Sequence, residues 1–425
     1  MKKGFSTIMS AQFFSSLADN ALFVAAVELL RSGGAAEWQR AALVPMFALF
    51  YVVLAPFVGA FADAVPKGKV MFFSNTIKVL GCLMMLFGTH PLLAYAIVGL
   101  GAAAYSPAKY GILTELLPTS QLVKANGWIE GLTIASIILG VLLGGQLVGQ
   151  QVATMLLGFD MPMFDLGIDT APEAAISAIV LLYIVAAVFN LYIPRTEAPL
   201  QRMDSNPLAL VRDFSHCNAR LWNDKLGQIS LATTTLFWGV SGNLRYIVLA
   251  WAAAALGYGT TQASALVGVV AIGTAVGAVV ASVAMRLDRA TSVIPLGIAM
   301  GLTVILMNFI SNVWVAAPFL ILLGAIGGFP VVPMNALLQH RGHNLMGAGR
   351  SIAVQNFNEQ ACILGLGAFY TGMTKLGLSA FGAITIFGIV VAGTMWLIQR
   401  WHRNNCVTHR DEVDRLLAIA RADPH

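Results

Sequence analysis

Charged side chains are scarce in this sequence, and the signatures of several enzyme classes are missing. Only 11% of the 425 residues are Asp, Glu, Lys or Arg, against about 25% in soluble domains. The four cysteines show no spacing typical of a metal site or a redox pair. No Walker A lysine and no G-x-S-x-G motif occurs. The sequence therefore favours neither a soluble enzyme, nor ATP hydrolysis, nor acyl hydrolysis, and it indicates no cofactor and no metal.

Long apolar runs are the dominant feature, since 58% of the residues are hydrophobic. Each run is near the ~20 residues that a helix needs to cross a bilayer. We therefore predict an all-α membrane protein with twelve transmembrane helices. The predicted spans are 7–30, 41–62, 70–88, 91–113, 123–147, 174–194, 227–256, 262–285, 291–310, 313–336, 348–374 and 378–398.

Lys and Arg are distributed unevenly between the two sides that these spans define. With the N-terminus inside, the only Lys and Arg residues of the outer loops are Arg31, Arg40 and Lys375. The long outer loop near 148–173 contains acidic residues but no Lys or Arg. Cytoplasmic loops of membrane proteins are enriched in Lys and Arg, and an even number of spans puts both termini inside. The net charge of +5 is thus a topology signal and not a nucleic-acid footprint.

The two halves of the chain show a weak internal repeat about 220 residues apart. Phe14-x5-Asn20 matches Phe237-x5-Asn243, and LGAAAYSP at 100–107 matches LGAIGGFP at 323–330. Two parallel repeats of six spans are the plan of major facilitator transporters. The predicted parts are an N-terminal six-helix bundle (1–194), a cytoplasmic linker with an interfacial helix (195–225), a C-terminal six-helix bundle (226–398) and a cytoplasmic tail (399–425).

The loop after the second predicted span resembles a facilitator signature. GAFADAVPKGK at 59–69 follows the pattern Gly-x3-Asp-x4-Gly plus a basic residue, although position 64 is Ala where the signature has a basic residue. The aspartate of this pattern would cap or pair across a cytoplasmic gate, and the alternative is an ordinary polar turn. We predict gating roles for this loop and for an acidic residue of the fifth span, namely Asp63, Lys67, Gly68, Lys69 and Glu130.

Ionisable residues inside predicted spans are the candidates for substrate contacts. Lys109 lies two residues after Pro107, which removes a backbone hydrogen bond and kinks the helix. A cation at the centre of a membrane helix costs at least ~2.5 kcal/mol, so Lys109 must face a cavity, a partner charge or an anionic ligand. The alternative for each candidate is a structural pair, and for Lys78 we favour either a paired ammonium or one that snorkels to the interface over a substrate contact. The predicted substrate contacts are Asp19, Asn20, Lys109, Arg245, Gln355, Asn358 and Glu359.

Several segments together resemble one branch of the major facilitator superfamily. They are FSSLADNALF, LAPFVGAFAD, GAAAYSPAKYGILTEL, LVKANG, VVPMNALLQ and AVQNFNE. Together they resemble the LplT family of bacterial lysophospholipid transporters. The resemblance implies the major facilitator fold and ATP-independent movement of lysophospholipids, chiefly lysophosphatidylethanolamine, from the outer to the inner leaflet of the inner membrane. An inner-face acyltransferase would then re-acylate them.

The functional positions of the family fall on Asp19, Lys109, Arg245 and Glu359, and the charges of the headgroup suggest a role for each. Lys109 and Arg245 would hold the phosphate, and Asp19 or Glu359 would meet the ammonium, while the two halves rock to expose the site to each leaflet. Two other functions remain open. One is a proton-coupled exporter of amphipathic drugs in which Asp19 or Glu359 titrates, and the other is a membrane-embedded acyltransferase subunit that uses His409.

Overall fold

The computed structural model describes residues 3–116, 119–158, 167–196, 200, 206–346 and 348–422. All regular secondary structure in these residues is helical. The helices of the first half are α1 (Lys3–Ser32), α2 (Glu37–Ala41), α3 (Leu43–Val53), α4 (Ala55–Ala64), α5 (Lys67–Leu86), α6 (Pro91–Leu116), α7 (Thr119–Leu147), α8 (Gln150–Leu157) and α9 (Ala171–Leu191). Those that follow are α10 (Pro207–Asn223), α11 (Gly227–Leu256), α12 (Thr260–Ala284), α13 (Ile294–Leu306), α14 (Val313–Met346), α15 (Ala348–Lys375), α16 (Ala380–Thr408) and α17 (Arg410–Ala422).

Each predicted span coincides with one of these helices or with a broken pair of them. Within the described ranges, eight helical segments are long and apolar enough to cross a membrane, and ten if each of two bent pairs is one span. The two further helices on predicted spans are α11 and α15, which carry Arg245 and Glu359. Polar side chains make these two helices less apolar, as expected of membrane helices that face a bundle interior.

The structure differs from the prediction in one transmembrane span and in one outer loop. The second predicted span is one helix in sequence terms, but α3 and α4 meet at Leu54 with a bend of 63°. Pro56 in the first turn of α4 explains the break, because proline cannot continue the hydrogen bonding of a preceding helix. The predicted outer loop near 148–173 contains α8, which is bent by 67° from α7.

The chain forms two compact units. The first consists of Met1–Leu210 with Tyr258–Gly268, and the second of Val211–Gly257 with Val269–His425. In the first unit α1 packs on α7 and α9, and α5 packs on α6 and α9. In the second unit α11 packs on α14 and α15, and α13 packs on α16. The boundaries at 194, 225 and 398 stay predictions.

The helix α10, in the predicted linker, packs on the second unit. Its Cys217 and Leu221 share a buried cluster with Leu231, Leu338 and Val354. Burial raises the pKa of the Cys217 thiol and nearby Asp213 acts in the same direction, so this thiol stays protonated at neutral pH. The linker helix is therefore a packed part of the second unit.

The contact between α3 and α6 depends on a glycine. A Cβ atom at Gly99 would lie 2.2 Å from the carbonyl oxygen of Phe47, which is closer than real Cβ contacts come. Backbone atoms cannot move aside as a flexible side chain can, and overpacked sites typically cost about 1–3 kcal/mol. Gly99 thus sets the distance between these two helices.

We expect Gly99→Ala to lower the free energy of unfolding by about 2 kcal/mol. Thermal denaturation of the purified protein in detergent measures the change. Gly372→Ala is the matched control, because nothing lies within 4 Å of a Cβ atom added there. Equal denaturation midpoints for the two variants would contradict this account of the contact.

Candidate functional site

Asp19 lies in the middle of α1 and is held by two other helices of the first unit. The Lys78 ammonium lies 2.8 Å from its Oδ2 atom, and the Tyr183 hydroxyl donates to its Oδ1 atom at 2.7 Å. The Asp19 side chain keeps 23% of its surface exposed, whereas that of Lys78 keeps 2%. A ligand can therefore approach the carboxylate but not the ammonium that neutralises it.

Lys78 is stabilised by a polar and aromatic cage. Its ammonium donates to Ser15 Oγ at 2.9 Å and lies 5.1 Å and 5.5 Å from the ring centroids of Tyr105 and Tyr183. Carboxylate, hydroxyl and aromatic faces together compensate the cost of burying an ammonium. Of the two alternatives predicted for Lys78, a paired ammonium and a snorkelling one, this geometry agrees with the paired ammonium. Neither tyrosine was predicted, because an aromatic residue in an apolar run gives no signal of its partner.

The other two candidates of the first unit are buried in helices next to this cluster. Lys109 of α6 is 8% exposed, and its ammonium lies 4.4 Å from the ring centroid of Tyr110. Asn20 is buried, and its Nδ2 donates to the carbonyl of Ser16 one turn earlier in α1 at 2.8 Å. The first unit thus holds a buried basic candidate and a buried amide, next to the partly exposed carboxylate of Asp19.

Glu359 belongs to a chain of side chains that connects α15 with α14. Gln355 Nε2 donates to Glu359 Oε1 at 2.7 Å and to Asn335 Oδ1 at 2.5 Å. The spacing of four residues between Gln355 and Glu359 puts both on one face of the helix. Arg245 of α11 is partly buried, and its Nε donates to the carbonyl of Gly242 at 3.4 Å. Asn335 is an addition that the sequence did not single out.

Asn358 faces a different neighbour from the rest of its predicted stripe. Its Oδ1 accepts a hydrogen bond from Trp222 Nε1 at 3.1 Å, and its Nδ2 donates to Asn218 Oδ1 at 2.8 Å. Both partners lie on α10, and Trp222 also stacks on Trp401. The amide of Asn358 therefore anchors α10 to the bundle, and its contact with substrate stays a prediction.

The predicted gate contains an ion pair at the start of α5. Lys67 Nζ lies 2.5 Å from Glu115 Oε1 near the end of α6, and Thr196 Oγ1 donates to Glu115 Oε2 at 2.5 Å. Gly68 lies close to Ile193, and Lys69 is exposed. The side chains of Asp63 and Glu130, also predicted to gate, lie outside the part of the chain that the structure describes.

The second unit contains a tighter ion pair that the sequence did not predict. Arg341 binds Asp224 through two atoms, with Nη2–Oδ2 at 2.5 Å and Nε–Oδ1 at 3.1 Å. Both side chains are almost fully buried. Asp224 Oδ1 also accepts from the backbone nitrogens of Leu226 and Gly227 and so caps the start of α11.

His409, the residue of the acyltransferase alternative, lies between α16 and α17 and is exposed. The Asp414 carboxylate in the H-x4-D spacing pairs with Arg410 at 3.7 Å, and both side chains are largely exposed. In the described ranges no group of His, Cys, Asp and Glu side chains has the geometry to hold a metal ion.

Long apolar helices with ionisable side chains buried among them define a multi-pass membrane protein. The family model of the Major Facilitator Superfamily matches residues 8–366. The chain is 38% identical over 406 residues to the lysophospholipid transporter LplT of Escherichia coli O9:H4 (strain HS). The aligned residues make up 94% of this chain and 97% of that relative. It is equally similar, over 408 residues, to the lysophospholipid transporter LplT of Escherichia coli (strain K12 / DH10B). The chain therefore belongs to the Major Facilitator Superfamily and, within it, to the family of these LplT transporters.

Solved structures share the fold at low sequence identity. A bacterial homologue of the human lysosomal transporter Spinster superposes with a TM-score of 0.62 at 16% identity, covering 99% of this chain and 96% of that chain. The nucleoside transporter NupG superposes with a TM-score of 0.70 at 13% identity, covering 95% and 99%. At these identities the likeness concerns the fold alone, and it agrees with the predicted major facilitator fold.

Proposed function

We propose that this protein moves lysophospholipids, lysophosphatidylethanolamine among them, from the outer to the inner leaflet of a bacterial inner membrane. The observation that carries the proposal is the 38% identity, over 94% of the chain, to relatives named as lysophospholipid transporters. The buried charges support it, because ionisable side chains in membrane helices are costly and mark substrate pathways.

The chemistry of the headgroup matches the charges that the two units contain. Lysophosphatidylethanolamine carries one phosphate and one ammonium. Lys109 and Arg245 are the proposed phosphate contacts, since arginine offers a planar fork suited to phosphate and lysine a compact charge. Asp19 and Glu359 are the proposed ammonium contacts. The Asp19 side chain is 23% exposed, so an ammonium group can reach its carboxylate. The acyl chain would lie on apolar helix faces.

Transport follows alternating access, in which the two halves of the protein rock and expose the substrate to one leaflet at a time. We assign the Lys67–Glu115 pair to the cytoplasmic gate, because it ties the start of α5 to the end of α6. The excess of Lys and Arg in the predicted inner loops supports cytoplasmic termini. The protein itself would catalyse no covalent reaction, and an acyltransferase at the inner face would consume the transported lipid.

Sealed proteoliposomes test the proposal. We expect the purified protein to increase the rate at which acyl-labelled lysophosphatidylethanolamine crosses the bilayer, with no ATP present and with equal pH on both sides. Empty liposomes are the control. A rate equal to that of empty liposomes would contradict the proposal, and transport that requires a pH gradient would instead favour a proton-coupled exporter.

A further inference from the structure

Lys78 and Asp19 form the only ion pair that the described part of the structure shows in the cluster around Asp19. The other members of this cluster, Ser15, Tyr105 and Tyr183, are neutral. Asn75 extends the cluster by accepting a hydrogen bond from Ser15 at 2.7 Å. The cluster as a whole therefore has no net charge, although the residue that a ligand can reach is a carboxylate.

The burial of the two partners gives them different tasks. Lys78 is 1% exposed and lies under two aromatic rings, so a headgroup cannot touch its ammonium. It acts only through Asp19, whose Oδ2 it holds at 2.8 Å while Tyr183 holds Oδ1. Lys78 is thus a positioning residue that also cancels the charge of a proposed substrate contact.

We infer that Lys78 determines which headgroup charges the transporter accepts. The inference rests on the proposed function and deepens it. A zwitterionic headgroup brings its own ammonium and can neutralise Asp19 without help. A headgroup with a phosphate and no ammonium, such as that of lysophosphatidylglycerol, cannot neutralise Asp19. If the Asp19 carboxylate is not compensated by Lys78, it repels the phosphate of this headgroup. With Lys78 in place the same site tolerates both classes of lipid.

The size of the effect follows from electrostatics. Two like unit charges several ångströms apart, at an effective dielectric constant near 20, change a binding constant by about tenfold or more. Removing the Lys78 ammonium should therefore reduce transport of the anionic lipid at least about tenfold more than transport of the zwitterionic lipid. Removing the Asp19 charge instead leaves the ammonium uncompensated and should shift the ratio in the opposite direction.

The experiment measures flipping of lysophosphatidylglycerol and lysophosphatidylethanolamine with identical labelled acyl chains in sealed proteoliposomes. The variants are Lys78→Met, Asp19→Asn and the double variant Asp19→Asn/Lys78→Met, with Lys375→Met as a control that removes an exposed cation from the end of α15. We expect the ratio of the anionic to the zwitterionic rate to fall in Lys78→Met and to rise in Asp19→Asn. It should return towards the wild-type ratio in the double variant and stay unchanged in the control.

An unchanged ratio in folded Lys78→Met, or an equal loss of both rates, would overturn the inference and leave Lys78 with a structural role. If Lys78→Met cannot be purified in folded form, Asp19→Asn decides alone, and a ratio that does not rise overturns the inference. The wild-type rates test the proposed function separately. A wild type that moves neither lipid refutes that function, whereas a wild type that moves both, with unshifted variants, refutes only the role of Lys78.

Discussion

Lys109→Ala and Arg245→Ala are each expected to reduce lysophospholipid flipping in proteoliposomes by about a hundredfold. Each side chain is assigned to the phosphate of the headgroup, and truncating one partner of a desolvated, hydrogen-bonded charge pair costs about 2–5 kcal/mol. Since 1.4 kcal/mol is a factor of ten, about 3 kcal/mol corresponds to about a hundredfold. The measurement is the initial rate of flipping at a substrate concentration below saturation.

Two controls separate the loss of a substrate contact from the loss of the fold. Size-exclusion profiles and denaturation midpoints should match those of the wild type for both variants. Arg403→Ala removes a cation from an exposed position of α16, and it should keep the wild-type rate. Near-normal flipping by both Lys109→Ala and Arg245→Ala would remove the assigned headgroup site.

Arg341→Met is expected to have the largest effect on stability. It leaves the buried Asp224 carboxylate without its bidentate partner, and breaking a buried pair in this way costs about 3–5 kcal/mol. For a protein of this size, such a loss lowers the denaturation midpoint by about 5 °C. Thermal denaturation in detergent, followed by intrinsic fluorescence or by loss of monodisperse protein, measures it.

The double variant Asp224→Asn/Arg341→Met shows whether the uncompensated charge is the cause. Asparagine keeps an oxygen that accepts from the backbone nitrogens of Leu226 and Gly227 and so preserves the cap of α11. We expect the double variant to recover most of the lost stability. If it is as unstable as Arg341→Met, the loss comes from packing around the arginine and not from the stranded carboxylate.

The sequence predicts the fold well because the features that indicate it can each be recognised within a short segment of the chain. Apolar runs near the length of a membrane span, and the uneven distribution of Lys and Arg, require no knowledge of the neighbouring helices. The break of the second span at Leu54 was also predictable in principle, because Pro56 follows it closely. Its omission shows that length alone is a weak guide to where a membrane helix bends.

The sequence does not reveal which side chains of different helices contact each other. Burial cost identified Asp19 as a residue that must be compensated, but only the rotation and depth of α1 and α5 decide that Lys78 and Tyr183 compensate it. The Lys67–Glu115 and Asp224–Arg341 pairs likewise join residues that are distant in the chain. Helical periodicity did place Gln355 and Glu359 together, since they are four residues apart.

The central claim is that buried charges of this protein recognise a lysophospholipid by its headgroup. The most direct test compares the binding of lysophosphatidylethanolamine with that of a monoacylglycerol of the same acyl chain to the purified protein. The account predicts at least about tenfold tighter binding of the phospholipid by the wild type and similar binding of both lipids by Arg245→Ala. Equal affinities of the wild type for the two lipids would contradict it.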